Sequence, residues 1–229
     1  MYPTAVFFLM KHSAFLLLLF WSFGLWSQDP ENVFRLKPSL GINGCQIHGD
    51  SYSGYDKLGF FGGVAMNARL KKKFSLEVGF YFTQKGARHN PNPKAGDYSY
   101  YRVNLNYIDV PLLLRFEVNN NYFITAGPSL AYLVSYKEVI NYADMTGYWR
   151  FNALEGGVNL GLGRKIKKQF YVEVRTSNSI SPVRDYGRVA NLVFYPNPVA
   201  RFFNKGLYNN ILTLLVTYQI DLKQKRGSQ

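Results

Sequence analysis

The sequence predicts an all-β protein, specifically an eight-stranded antiparallel transmembrane β-barrel with up-and-down topology. Apolar and polar residues alternate in repeated segments, as in residues 74–83, where Phe74, Leu76, Val78, Phe80 and Phe82 share one face. These segments are joined by connections that are short and long in turn, and no long apolar run occurs after the first 28 residues. Aromatic residues make up 17% of the chain, which favours strands. A sheet with one apolar and one polar face is typical of a barrel in a lipid bilayer.

The first 27 residues are predicted to be a secretory signal peptide. Lys11 supplies a positive charge, residues 14–26 are almost wholly apolar, and Ser27 is a small residue at a plausible cleavage point. The alternative is an uncleaved anchor, but the apolar core is shorter than the roughly 20 residues of a spanning helix. Translation could start at Met1 or at Met10. The expected mature protein comprises a barrel over residues 28–222 and a basic periplasmic tail over residues 223–229.

The mature chain is expected to be strongly basic. Subtracting Lys11 from the 27 Lys and Arg residues leaves 26 against 14 Asp and Glu, a net charge of about +12. About 200 residues suffice for one domain. Cys45 is the single cysteine, so the chain can form neither an internal disulfide nor a cysteine cluster for a metal.

Eight strands are predicted, and each is long enough to cross a bilayer as a tilted strand, which takes about 9–11 residues. They cover residues 33–45, 57–69, 74–84, 104–116, 122–135, 151–164, 170–179 and 207–221. Short connections at residues 70–73, 118–121 and 165–169 alternate with long ones at 48–56, 85–103, 136–150 and 180–206. Outer-membrane barrels have short periplasmic turns and long external loops, so both termini are expected in the periplasm of the cell outer membrane.

Side-chain parity separates a lipid-facing set from an interior set. The lipid-facing set carries no charge and consists of Phe34, Leu36, Leu40, Ile42, Phe60, Val64, Met66, Ile108, Val110, Leu112, Leu114, Phe116, Leu154, Val158, Leu160, Leu162, Phe170, Val172, Val174, Leu212, Leu214, Val216, Tyr218 and Ile220. The interior is expected to hold a near-neutral charge network, because buried charges must pair. Its members are Arg35, Lys37, Arg69, Glu77, Asp109, Arg115, Glu117, Glu155, Glu173 and Arg175, with Asp221 near the lower end.

Two prolines and a set of loop aromatics stand outside this pattern. Pro111 and Pro128 fall within strands 4 and 5 at nearly the same height, and each removes a backbone donor. They indicate either a tolerated bulge or a locally weak seam at which a partner protein docks. The loops contain aromatic residues of the types enriched at protein interfaces, namely Tyr100, Tyr101, Tyr148, Trp149, Tyr195, Phe202 and Phe203.

Three segments carry a resemblance to a known family. They are LNYIDVPLLLRF at residues 105–116, FSLEVGFYFTQKGA at 74–87 and FITAGPSLAYLV at 123–134. Together they resemble the PorT-like outer-membrane β-barrel family of the Bacteroidota, over most of the mature chain. The resemblance implies an eight-stranded barrel. The name-giving member of that family is needed for the type IX secretion system. This chain departs from a common outer-membrane pattern because it ends in a basic tail instead of a terminal aromatic residue.

Enzymatic chemistry finds little support in the sequence. His48 and His89 fall in the first two long connections and could form a nucleophile–base set with Asp50, Ser51 or Asp97, but two solvated histidines explain the same pattern. Glu77 and Glu173 face inward at matching depth, where arginines are available to neutralise them. No cofactor is predicted. A lumen of eight strands is filled by side chains, so no sizeable pore is expected.

The prediction for function is therefore a non-enzymatic outer-membrane barrel that serves as an accessory or structural subunit of an envelope assembly, such as type IX secretion or the outer-membrane protein insertion machinery. The alternative is a stand-alone surface-binding barrel for lipid A or an external ligand, and an outer-membrane hydrolase is third. Expected partners are lipopolysaccharide outside, phospholipid inside and envelope proteins. Basic residues in the turns and loops, Lys85 and Arg184 among them, would contact the lipid head groups. The expected compartment excludes nucleic acid.

Overall fold

The computed structural model describes residues 34–50, 52, 54–185 and 205–222, and most of them belong to β-strands. The predicted signal peptide and basic tail lie outside the described residues. The strands are β1 (Phe34–His48), β2 (Lys57–Lys71), β3 (Phe74–His89), β4 (Tyr101–Glu117), β5 (Tyr122–Ile140), β6 (Ala143–Asp144), β7 (Leu154–Lys165), β8 (Phe170–Ser179), β9 (Arg184–Asp185), β10 (Gly206–Tyr218) and β11 (Ile220–Leu222). One 3₁₀ turn covers Pro93–Ala95. No helix in the described part of the chain has the length and apolar character needed to cross a membrane.

Eight of these strands form a closed antiparallel barrel, as predicted. The order is β1, β2, β3, β4, β5, β7, β8, β10, and β10 returns to pair with β1 from Ser39–Thr217 to His48–Tyr208. After an interruption at Gln219, β11 continues the last wall and pairs with the start of β1. The short strands β6 and β9 extend β5 and β10 at the long-loop end. Because closure pairs the first strand with the last, the barrel has no open edge over most of its height.

The predicted lipid-facing residues lie on the outside of the barrel. Leu40, Leu160 and Leu214, for example, are exposed, while their neighbours Ser39, Asn159 and Thr213 are buried in the lumen. Successive residues in a strand point to opposite faces, so this alternation places the apolar set against lipid and the polar set inside. The parity prediction is confirmed on the seven walls for which it named residues, β1 to β4, β7, β8 and β10.

Several strands are longer at the long-loop end than the sequence predicted, whereas β7 begins at Leu154, three residues after its predicted start at 151. β3 continues to His89 and β5 to Ile140, five residues beyond their predicted ends at 84 and 135. The reason is that alternation continues above the apolar band with polar residues on the outer face, such as Gln84 and Arg88. The alternation of apolar and polar residues stops at the edge of the lipid, whereas the hydrogen-bonded sheet continues beyond it.

Candidate functional site: the charged lumen and the loop rim

Four charged side chains form a linked group in the half of the lumen nearest the short turns. Lys37 Nζ donates to Glu77 Oε2 at 2.7 Å, and Glu77 Oε1 lies 4.0 Å from Arg175. Arg175 Nε in turn donates to Glu173 Oε1 at 2.8 Å, and the Thr125 hydroxyl donates to that same oxygen. Two cations thus face two anions, all almost fully buried. This lower charge cluster, defined by Lys37, Glu77, Glu173 and Arg175, contains no net charge.

Arg115 lies beside this cluster and is held mainly by aromatic rings. Its guanidinium carbon stands 3.4 Å from the ring centre of Phe123 and 4.8 Å from that of Tyr171. Its Nε donates to Glu117 Oε1 at 2.9 Å, near the end of β4. A guanidinium stacked on a ring face is stabilised by the ring quadrupole, so the two aromatic rings partly compensate the positive charge of Arg115.

A second group of charges, the upper charge cluster, is built around Lys85. Its Nζ donates to Glu155 at 2.9 Å and lies 3.8 Å from Asp109, and it also stands 4.8 Å from the ring centre of Tyr107. Asn209 donates to the second oxygen of Glu155 at 2.8 Å. The expectation that Lys85 lies in an external loop was wrong, because β3 runs on and keeps Lys85 on the inward parity of Glu77 and Thr83.

The remaining members of the predicted network lie nearer the short-turn end. Arg35 Nε is 3.4 Å from Asp221, across the β1–β11 pair. Arg69 is exposed at the end of β2, where a register shift at Arg69–Lys71 accompanies the turn. The structure therefore places Arg69 apart from both charge clusters.

An apolar layer closes the lumen above the upper charge cluster. Its buried side chains are Ile47, Ala87, Tyr101, Val103, Leu105, Tyr107, Ala131, Phe151, Val183 and Leu207. Val183 belongs to the connection after β8, and its backbone bonds to Leu207 and Asn152 hold it in place. A small cavity lies between Lys85, Asp109, Pro111, Asn159 and Arg175, below the apolar layer. A lumen filled in this way is a packed core.

An ion pair links the connection after β8, which contributes to the apolar layer, to the barrel wall. Arg184 Nη1 and Nη2 donate to the two carboxylate oxygens of Glu138 at 2.9 and 2.6 Å. The same guanidinium stands 3.7 Å from the ring centre of Phe151. Arg184 is thus turned inward, contrary to its predicted place among the outer basic residues. Sequence reasoning missed Glu138 as well, because it lies beyond the predicted end of β5.

The part of the histidine hypothesis that the described residues cover is a contact between His89 and Asp97. His89 Nε2 contacts one oxygen of the Asp97 carboxylate, and the Ser99 hydroxyl donates to the other oxygen. The hydrogen bonds from Ser99, with that of His89, lower the pKa of the Asp97 carboxyl to about 2. Asp50 makes its hydrogen bond to the Tyr52 amide, and burial raises the pKa of Asp50.

Ser51, the remaining member of that proposed set, lies outside the described residues. His89 stacks on Tyr52, with ring centres 4.3 Å apart, whereas His48 is exposed at the end of β1. Within the described ranges, no three His, Cys, Asp or Glu side chains come together as metal ligands would.

The predicted loop aromatics fall into two groups. Tyr148 and Trp149 are exposed and pack edge to face at 4.6 Å, and half-buried Tyr100 stacks on exposed Tyr142 at 4.6 Å. Tyr101 is 7% exposed and points into the lumen. Tyr195, Phe202 and Phe203 lie outside the described residues. We call Tyr100, Tyr142, Tyr148 and Trp149 the rim aromatics.

The two prolines interrupt strand pairing without shifting it. β4 and β5 pair at Pro111–Ser129, skip two residue pairs opposite Pro128 and Gly127, and resume in the same register at Leu114–Ala126. The bulge in this hairpin lies at Asn106–Tyr107 instead. Pro111 is buried towards the lumen, whereas Pro128 is exposed on the outer wall. Only Pro128 could therefore meet a partner from the lipid side.

Several solved structures are similar to this chain at low sequence identity. The attachment invasion locus protein Ail of Yersinia pestis is 10% identical, with 81% of this chain and 98% of that chain covered and a TM-score of 0.47. Neisserial surface protein A is 12% identical over 82% and 97% of the two chains, with a TM-score of 0.45. CarO2 of Acinetobacter baumannii is 10% identical over 82% and 99%, with a TM-score of 0.48.

No curated protein sequence matches this chain. A family profile does match, and it covers residues 26–185, which include β1 to β8 and most of the charge clusters. This match accords with the closed barrel, its apolar outer face and its charged, filled lumen. The chain belongs to the outer membrane protein beta-barrel domain family, and the outer membrane is its location.

Proposed function

We propose that this protein is a non-enzymatic accessory or structural subunit of an envelope assembly, of the kind represented by type IX secretion or the outer-membrane protein insertion machinery. The proposal rests on the observation that side chains fill the lumen. The two charge clusters and Arg115 together hold four buried cations and four buried carboxylates, and an apolar layer closes the mouth of the lumen, so the interior serves to hold the barrel together. The surfaces left to act on other molecules are the outer wall and the loop rim.

The rim aromatics are the first candidate contact. Tyr142 and Tyr148 are each 72% exposed in the connection between β5 and β7, where Tyr142 stacks on Tyr100 and Tyr148 packs against Trp149. Large aromatic side chains recur among the residues that contribute most to protein binding energy, because they bury much area with little loss of conformational entropy. A partner that covered this pair would bind at the barrel mouth.

The outer wall at Pro128 is the second candidate. The interrupted β4–β5 pairing leaves backbone groups there without ladder bonds, and an apolar partner could pack against exposed Pro128 and Leu130. Restoring the ladder with Pro111→Val and Pro128→Val is expected to abolish partner cross-linking while the barrel stays folded. Retained cross-linking would remove this seam from the proposal.

The test is purification of the tagged native protein in mild detergent, followed by mass spectrometry of the proteins that co-purify. We expect a stoichiometric set of envelope proteins, which Tyr142→Ala with Tyr148→Ala should reduce about tenfold or more, given typical losses at interface hot spots. Tyr55→Ala, at an exposed tyrosine in another long connection, is the matched control and should retain the set. A barrel that purifies alone would refute the assembly role and favour the stand-alone binder.

We also propose that both termini lie in the periplasm, because the long connections β1–β2, β3–β4, β5–β7 and β8–β10 all leave from the opposite end. An epitope tag in the β5–β7 connection should be accessible on intact cells, whereas a tag after the last residue should become accessible only after the outer membrane is permeabilised. The reverse pattern would contradict this orientation.

A further inference from the structure

At the long-loop end of the barrel, the neighbouring strands β2 and β3 are no longer paired with each other. β2 and β3 pair from Lys71–Phe74 up to Phe61–Thr83, and beyond that point β2 pairs only with β1 while β3 pairs only with β4. The strands continue on both sides, through Lys57–Phe60 and Gln84–His89. We call this unpaired stretch the β2–β3 split.

Side chains substitute for the missing backbone ladder at the base of the split. Gln84 Oε1 accepts the Phe60 amide at 3.1 Å. The Gln84 carbonyl accepts the Asn43 side-chain amide at 3.0 Å and the Cys45 thiol at 3.3 Å. The base is therefore sealed, and the split begins above Gln84.

Lys57 occupies the wall of the split. It is 5% exposed, and its Cδ atom lies 3.2 Å from where a Cβ on Gly86 would stand, so its chain runs alongside the strand across the split. Gly86 has φ of +129°, a conformation open to glycine, and the missing side chain leaves room for the lysine. Among the described residues, the Lys57 ammonium has neither a carboxylate partner nor a hydrogen-bond acceptor.

Two arginines add to this charge. Arg88 on β3 and Arg102 on β4 are directly opposed across the ladder, and both are exposed on the outer face. Arg102 also lies close enough to Lys57 for their charges to repel. No described carboxylate forms an ion pair with any of the three. Like charges that face each other destabilise a sheet. An anion bound between these three cations would therefore stabilise the arrangement.

The surface below the cations is apolar. Leu58 is 76% exposed and Phe60 46%, both on the outer face of β2, and Phe82 lies beside Phe60 on β3 with ring centres 6.4 Å apart. An apolar wall capped by three cations matches an amphiphile that has acyl chains below and phosphate above. A free anion would leave the apolar surface unused.

We propose that the β2–β3 split binds the phosphate-bearing head group of a membrane lipid in the leaflet at the long-loop end. Lys57, Arg88 and Arg102 contact the phosphate oxygens, and the acyl chains lie along Leu58 and Phe60. The site is independent of the envelope assembly proposed above, since it needs no protein partner.

The test is native mass spectrometry of the purified full-length barrel titrated with diphosphoryl lipid A, and in a parallel arm with inorganic phosphate. Each of Lys57→Met and Arg102→Gln should weaken lipid A binding roughly tenfold, the value of one charge-assisted hydrogen bond. Lys137→Gln is the matched control, because Lys137 is an exposed cation on β5 that already pairs with Asp144, and it should bind as the unmodified protein does. Inorganic phosphate should bind far more weakly than the lipid.

Folding is checked in the same samples by heat-dependent gel mobility. Because no carboxylate among the described residues pairs with Lys57, Lys57→Met should leave the urea midpoint unchanged or raise it. Unaltered lipid affinity in Lys57→Met, an equal loss in Lys137→Gln, or inorganic phosphate binding as tightly as lipid A would each overturn the proposal. A Lys57→Met barrel that no longer folds would overturn it too, because Lys57 would then be a structural residue.

Discussion

Replacing Lys85 by Met isolates the contribution of the upper charge cluster to stability. The side chains of Lys85, Glu155 and Asp109 are 3%, 3% and 9% exposed, so the substitution leaves two buried carboxylates beside each other without a cation. Removal of one partner from a buried ion pair costs about 3–5 kcal/mol. With a denaturant dependence of about 2 kcal/mol per molar urea, the unfolding midpoint should fall by roughly 2 M.

The chain contains a matched control for this experiment. Lys137 lies 3.8 Å from Asp144, the same separation as Lys85 from Asp109, but the side chains of Lys137 and Asp144 are both about 60% exposed. Lys137→Met should therefore cost less than about 1 kcal/mol. Urea titrations in detergent micelles, followed by Trp149 fluorescence and gel mobility, measure both variants.

A compensated variant separates charge from packing. Lys85→Met combined with Asp109→Asn and Glu155→Gln removes the uncompensated charge and should recover most of the lost stability, to within roughly 1–2 kcal/mol. If Lys85→Met were as stable as Lys137→Met, the lumen charges would not hold the barrel together, and the reasoning that assigns the interior a structural role would fail.

Three further outcomes are expected. Gly163→Ala places a methyl group 2.0 Å from the Phe123 ring and should cost about 1–3 kcal/mol in urea unfolding, whereas Gly156→Ala, whose nearest neighbours stand at 3.7 Å, should be nearly neutral. Equal effects would argue against the packing at Phe123. The hydrogen bonds to Asp97 favour its ionised form, so their contribution to folding stability is present above about pH 4 and is lost as the pH falls through about 2. A ¹³C NMR titration of the Asp97 carboxyl with an ordinary midpoint near 4 would contradict this. Finally, the reconstituted barrel should carry no steady ion current in a planar bilayer, and stable conductance would show that the lumen opens.

The sequence allowed the barrel and most of the lower charge cluster to be predicted, because alternation is a local property. Each strand carries its own inside and outside, so the inward positions of Glu77, Glu173 and Arg175 follow from parity alone. The prediction was weakest where the lipid ends. Lys85 and Glu138 follow the last apolar outward residues, and nothing local shows that the sheet continues past them.

Contacts between distant strands were also beyond sequence reasoning. Glu138 and Arg184 are 46 residues apart, and their pairing depends on how the connection after β8 folds over the barrel mouth. The β2–β3 split depends on where a ladder stops, and that is set by Gln84 and Asn43 side chains in competition with backbone groups. Gly86, with a φ of +129°, fell in the predicted connection over residues 85–103, so it gave no signal within a strand.

The closed barrel in lipid is the central claim, and spin-label accessibility along β7 tests it most directly. Single cysteines from 154 to 165, in a chain with Cys45→Ser, would be spin-labelled and reconstituted in bilayers, and their collisions with oxygen and with a water-soluble nickel chelate measured. We predict a period of two, with oxygen reaching Val158, Leu160 and Leu162 and neither reagent reaching Asn159 or Gly161. Uniform accessibility, or nickel contact at Leu160, would contradict a lipid-facing wall around a filled lumen.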